Sequence, residues 1–297
     1  MAHDHPQDEA STEHERRRGR TGRGMSRRRV LQCVSVGATG LAGAAGTAGA
    51  ARGVPPFFGA CESGWQQAPA DYPVIDLRSP EPFTAGDFPE GASEFLVYVH
   101  GWLEKFARGG RNQGYTLETA LQQNGYSQPT VAAIWNSNDP AWPVAKRRAD
   151  IAGQRLARFI VGYLERYPAT TIKTVDHSLG TRVILEALAT LGGDSVLDNV
   201  STIGGAVDAD TVCSGTRYGD GIEASVNELY NYHSRNDDIV CETYASYEGT
   251  AGIGCAGADC GSTPSNYADV DVTDSVNAHC NYGKPDVGCV PEIVANF

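Results

Sequence analysis

One turn constrains this 297-residue chain more than any other feature. Thr171 to Val175 reads as a strand, Thr181 to Leu191 reads as a helix closed by Gly192-Gly193, and only Asp176-His177-Ser178-Leu179-Gly180 separates them. A strand that feeds a helix through so short a link must turn sharply. Small residues around Ser178 permit that turn and leave its hydroxyl exposed above the strand end. The helix N-terminus that follows favours negative charge beside it. The string S-x-G is common by itself, so its weight comes from the strand before it and the helix after it.

The flanking sequence repeats the same alternation. Phe95 to Val99 (FLVYV) is a continuous apolar run of the kind that forms a buried parallel strand. Tyr115 to Asn124 reads as a short helix started by Thr116 and stopped by Gly125, and Thr130 to Trp135 as a second strand. Between Asp150 and Tyr167 the residues Ile151, Leu156, Phe159, Ile160, Tyr163 and Leu164 fall on one helical face. Val200 to Val207, Leu229 to His233 and Val270 to Val276 supply further strands. Strands alternating with helices predict an α/β fold with a mostly parallel sheet, helices on both faces and ligands at the carboxyl ends of the strands.

Three stretches then resemble a known family: Val97-Tyr98-Val99-His100-Gly101-Trp102, Trp135-Asn136-Ser137 at the next strand end, and His177-Ser178-Leu179-Gly180. They resemble the alpha/beta-hydrolase family, in wording close to its lipase and esterase branch, over about residues 93–283. The resemblance implies the alpha/beta-hydrolase fold and the chain order nucleophile, acid, base, which this chain meets with Ser178, Asp237 or Asp238, and His279. In the family the acid precedes one variable residue and two apolar anchors. Asp237-Asp238-Ile239-Val240 fits with Asp237 as the acid, leaving Asp238 and Asp208 as alternatives. Backbone N–H groups of Trp102 and Leu179 would form the oxyanion hole, although Trp102 equally suits a packing role. No cofactor and no metal is implied.

Of the other histidines beyond residue 50, the family uses His100 structurally, His177 would point away from the serine it precedes, and His233 lies inside a strand. One departure stands out, since Asp176 occupies the first small position of the G-x-S-x-G pattern.

The function implied is a secreted serine hydrolase acting on small ester or lipid substrates through an acyl-enzyme. Amide or thioester hydrolysis by the same triad, or a cell-surface binding module without catalysis, are the competing expectations. Asp208 to Glu228 spans only about twenty residues, which leaves little room for a helical lid and favours small or flexible esters. The larger insertion, 241–266, is rich in Gly and Cys, lies between acid and base, and is expected to border the site.

Three segments are expected: a 1–50 extension, a 51–92 lead-in, and a 93–297 hydrolase domain. Ser26-Arg27-Arg28 with Val30 and Leu31, a weakly apolar stretch and Ala48-Gly49-Ala50 match a twin-arginine export signal, with translation starting at Met25. No run of eighteen apolar residues occurs, so stable membrane insertion is not expected. Eight Arg and five acids in residues 1–50 leave 16 basic and 31 acidic groups in the remainder, a net of −15. Such a body repels nucleic acid and anionic lipid, and with few Lys it resembles secreted proteins of haloarchaea.

Seven cysteines remain beyond the signal, an odd number for an exported chain expected to hold disulfides. Phe57-Phe58-Gly59-Ala60 before Cys61 faintly resembles a lipobox, which offers lipid anchoring at Cys61 as a minor reading. Zinc held by Cys255, Cys260, Cys280 and Cys289 is another.

Overall fold

A computed structural model describes residues 61, 64–104 and 106–297. Met25, the twin-arginine segment and Ala48-Gly49-Ala50 lie outside the described residues. Eight strands form one sheet: β1 (Val74–Asp76), β2 (Phe83–Ala85), β3 (Glu94–Val99), β4 (Thr130–Ile134), β5 (Thr171–His177), β6 (Leu197–Ile203), β7 (Val226–His233) and β8 (Tyr267–Asp271). Their spatial order is β2-β1-β4-β3-β5-β6-β7-β8, and only the β1–β2 pair is antiparallel.

The period of two along each strand sends alternate side chains to opposite faces. In β3, Phe95, Val97 and Val99 join a core with Leu156 and Ile160 of helix α2 (Trp142–Arg166) and Val183 and Ile184 of helix α3 (Gly180–Leu191). Leu96 and Tyr98 join the opposite core, with Leu117 and Leu121 of α1 (Phe106–Gln123) and Val290 and Ile293 of the last helix (Val290–Ala295). A register slip of one residue would exchange these two sets, so burial on both faces locks the pairing.

Several boundaries differ from those read off the sequence. Two strands, β1 and β2, lie within the segment expected to be a lead-in; at three residues each they are too short to show a period. Helix α1 begins nine residues before Tyr115, and glycine in its first turns allows close packing. A Cβ on Gly110 would come within 2.4 Å of the His100 ring and 2.9 Å of Ile134. Helix α2 starts at Trp142 rather than Asp150, with Pro143 in its first turn, where the missing N–H costs nothing. Strand β6 ends at Ile203, not Val207, and β8 runs Tyr267–Asp271, not Val270 to Val276. The stretch between β6 and β7 does hold a helix, α4 (Arg217–Ser225), with Tyr218 and Ile222 in the main core, where it serves as a crossover rather than a lid.

The cysteines pair as Cys61–Cys280, Cys213–Cys260 and Cys241–Cys255, and Cys289 is buried and free. This corrects two expectations. The Cys61 sulfur that lipid anchoring requires is held in a disulfide, and three of the four sulfurs offered for zinc are oxidised.

Candidate active site

The turn between β5 and α3 places Ser178 in the left-handed backbone region, at φ 58°. A non-glycine residue rarely adopts it, and strain of this kind costs of order 1 to 3 kcal/mol that the surroundings must offset. Here the surroundings fit closely. A Cβ on Gly180 would lie 2.5 Å from the Val99 carbonyl and 2.9 Å from that of His100, so only glycine fits where α3 meets the end of β3. A Cβ on Gly101 would lie 2.9 Å from the Ser178 Cβ and 3.4 Å from Oγ, which puts the His100-Gly101-Trp102 loop directly against the serine.

That loop is clamped from behind. His100 donates through Nδ1 to the Gly101 carbonyl (3.0 Å), accepts at Nε2 from the Trp135 N–H (3.3 Å), and stacks on the Trp135 ring at 5.6 Å. Accepting at Nε2 requires the neutral ring, and burial pushes its pKa down to about 4. Leu103 donates its N–H to the Ser137 carbonyl (3.0 Å), and Trp102 Nε1 donates to the Asp139 carbonyl (2.7 Å) with its ring against Trp142 at 5.0 Å. Trp102 therefore does pack into the core. The buried Leu179 N–H has no acceptor among the described residues.

Asp176 is accommodated at the end of β5 because two hydroxyls satisfy its buried carboxyl. The pleat of β5 aims Asp176 toward α3, where Thr181 Oγ1 (2.6 Å) and Thr202 Oγ1 (3.2 Å) donate to its carboxyl. Burial pushes its pKa up to about 7, although both threonine hydroxyls pull it down.

Asp237 lies in the loop after β7 and is fully buried. Its Oδ1 accepts from the N–H groups of Ile239 (3.1 Å) and Val240 (3.2 Å), and its Oδ2 from His279 Nδ1 (2.8 Å) and the Tyr282 hydroxyl (3.1 Å). The proton therefore sits on Nδ1 of His279, leaving Nε2 as the basic nitrogen of the neutral ring. The other acids lie elsewhere: Asp238 is exposed, and Asp208 accepts from the Tyr244 hydroxyl at 2.8 Å. His233 closes β7, as its strand position implied.

The Ser178 hydroxyl makes no hydrogen bond among the described residues. Serine and histidine are joined instead through His177. Its Nε2 lies 2.9 Å from the His279 carbonyl oxygen, and its ring stands 4.6 Å from the His279 ring. No spacing rule singles out His177 or Tyr282, because both contacts arise only where two loops meet.

Insertion 241–266 is stitched to the same strand ends, with Ile253 N–H on the Val207 carbonyl (2.8 Å) and Gly254 N–H on that of Gly205 (2.9 Å). Its Gly254 carbonyl accepts from Tyr282 at 3.4 Å. On the other side, Cys280 is bonded to Cys61, and Lys284 lies 5.0 Å over the Trp65 ring. Among the described residues, no group of three or more His, Cys, Asp or Glu could hold a metal ion, and no helix is long and apolar enough to cross a membrane.

The sheet order, the strained Ser178 turn and the loops gathered at the strand ends fit an alpha/beta-hydrolase fold. Residues 129–293 match the family described as Protein of unknown function (DUF726), and the chain belongs to it. The matched stretch takes in Ser178, Asp237 and His279 but not the loop at Trp102. No curated protein matches the chain. Solved structures similar to it include esterase PE8, at 14% identity over 69% of this chain and 91% of that one, with a TM-score of 0.43. Another is the catalytic core domain of acetyl xylan esterase from Trichoderma reesei, at 12% identity over 70% and 99%, TM-score 0.41. A third is an alpha-beta serine hydrolase homologue from Coxiella burnetii, at 11% identity over 69% and 86%, TM-score 0.40.

Proposed function

We propose that this protein is a secreted serine hydrolase that cleaves small carboxylic esters through an acyl-enzyme. The observation that supports the reading is the buried Asp237 hydrogen-bonded to Nδ1 of His279, on a loop that His177 ties to the turn where Ser178 is held at φ 58°. A binding module without catalytic demand has no need of a strained serine or a tautomer-fixed imidazole.

In this mechanism Ser178 Oγ attacks the ester carbonyl carbon while its proton passes to His279 Nε2. The imidazolium keeps its Nδ1–H on Asp237, whose negative charge stabilises it. The carbonyl oxygen, now an oxyanion, accepts from the main-chain N–H groups of Leu179 and Trp102, each donor typically worth about 3 kcal/mol. His279 then protonates the departing alcohol as the carbon–oxygen bond breaks. Water, deprotonated by the same nitrogen, attacks the acyl-enzyme, and collapse of the second oxyanion releases the carboxylic acid and restores Ser178. The same steps serve an amide or thioester.

Export is supported by the twin-arginine pattern in residues 25–50 and by three disulfides, which persist in oxidising compartments. On this reading 1–50 is removed and the mature chain follows.

A fluorophosphonate probe and a p-nitrophenyl butyrate assay test the proposal. Wild type should label and turn over; Ser178→Ala should lose labelling and drop turnover by on the order of 10⁴ to 10⁶. His279→Ala should behave alike, and His233→Ala should stay near wild type. Wild type that neither labels nor hydrolyses esters would favour the non-catalytic module.

A further inference from the structure

Behind the His279 loop, toward α1, lies a cavity of about 10 Å³ for the centre of a water, lined by Tyr98, Gln113, Leu117, His177, Ile203 and Tyr282 among others. That is room for a single molecule. Two side-chain atoms of its lining residues, Gln113 Nε2 and His177 Nδ1, are buried without a protein partner. Both residues are almost wholly buried, at 1% and 4% exposure, so neither atom finds bulk solvent. An unsatisfied buried polar atom costs about 1 to 3 kcal/mol.

Their chemistry is complementary. Gln113 Oε1 accepts from the Tyr98 hydroxyl at 2.6 Å, which assigns the free atom as an N–H donor. His177 Nε2 faces a carbonyl oxygen, that of His279, and must carry the proton there, so the free Nδ1 is an acceptor. Burial pushes the His177 pKa down to about 3 and keeps the ring neutral in this tautomer. One donor and one acceptor on a one-molecule cavity suit a water that accepts from Gln113 and donates to His177.

We infer that His177 is a positioning residue for His279, and that a buried water anchored by Gln113 holds its tautomer. The inference rests on His279 being the base of the proposed reaction. Asp237 fixes His279 at Nδ1, and His177 fixes the same residue at its main-chain carbonyl and by ring contact. Because His177 is the residue before Ser178, this hydrogen bond ties the base loop to the nucleophile turn. The distance between Ser178 and His279 then depends in part on this contact, and a 1 Å misplacement of reacting groups costs about 10²-fold in rate.

The test uses p-nitrophenyl butyrate kinetics, fluorophosphonate labelling, and the downfield proton resonance of His279 Nδ1–H, which needs no turnover. His177→Phe keeps a ring but loses the donor, and should lower kcat about 30-fold with KM within about twofold and broaden or shift the His279 resonance. His177→Gln carries an amide donor to the same carbonyl and should return kcat to within about fivefold of wild type. Gln113→Leu, which removes the anchor of the water, should lower kcat about threefold to tenfold and move the same resonance.

Wild-type kcat and an unmoved resonance in His177→Phe would overturn the inference, as would His177→Gln no better than His177→Phe. Should His177→Phe fail to fold, Gln113→Leu decides, and an unmoved resonance there overturns it. If wild type neither labels nor turns over, the hydrolase reading fails. The resonance alone then judges the positioning: loss in His177→Phe with return in His177→Gln upholds it, and no change overturns it.

Discussion

Oδ2 of Asp237 lies 2.8 Å from Nδ1 of His279, 42 residues further along the chain, while Oδ1 of the same carboxylate is occupied by two backbone N–H groups. A carboxylate tied down at both oxygens cannot swing away, so the imidazole it holds is oriented as well as charge-stabilised. Asp237→Asn should therefore lose on the order of 10⁴ in turnover through the wrong tautomer. Asp238→Asn and Asp208→Asn should stay within about tenfold, since one is exposed and the other is engaged by Tyr244. The reverse ranking in a three-variant assay would place the acid elsewhere.

Asp176 should make stability fall as pH rises from the acidic range to neutrality. Its folded pKa is raised from 3.8 to about 7, so between those values the unfolded chain has released a proton that the folded chain keeps. Stability then falls as pH rises from about 4 through about 7 and levels off above. Asp176→Asn removes that titration and should melt above wild type at pH 8 but level with it at pH 4. Thermal melts of both proteins at the two values check this, and a constant difference would show that Asp176 does not titrate there.

The Cys61–Cys280 bond closes a loop across 219 residues and ends one residue after His279. Cys61→Ser should cost about 2 to 5 kcal/mol of stability and also lower kcat, because the base loop loses a tether. Cys213→Ser, at a bond that does not flank His279, should lower the melting midpoint while leaving kcat within about threefold. Paired melting and kinetic measurements separate the two, and equal kcat in both would detach the first bond from the site. Burial pushes the Cys289 thiol up, so it should stay unreactive toward alkylating reagents in the folded protein.

Salt should stabilise residues 51–297. Residues 51–297 carry a net of −15, and in molar KCl the screening length shrinks to roughly 3 Å, which suppresses self-repulsion. The melting midpoint should climb with KCl from dilute buffer to molar concentration. A flat or falling midpoint would count against adaptation to high salt.

Local pattern in the sequence determines much of this architecture. Apolar runs mark β3 and β4, the helical stripe marks most of α2, and the short link at Ser178 marks the turn, because each depends on neighbours within about ten residues. The family resemblance, not local pattern, favours Asp237 over Asp238, and Ile239 and Val240 give their N–H groups to Asp237. Only the tertiary structure decides what lies between distant segments. Nothing local marks Gly110 as a position packed on His100, and His177 reads as turning away until the His279 carbonyl arrives beside its ring. Cys61 offers no sign of its partner, because 219 residues of chain separate two sulfurs that the packing of the lead-in against the base loop brings together. Periodicity records which face of an element is buried; it carries no record of what that face is buried against.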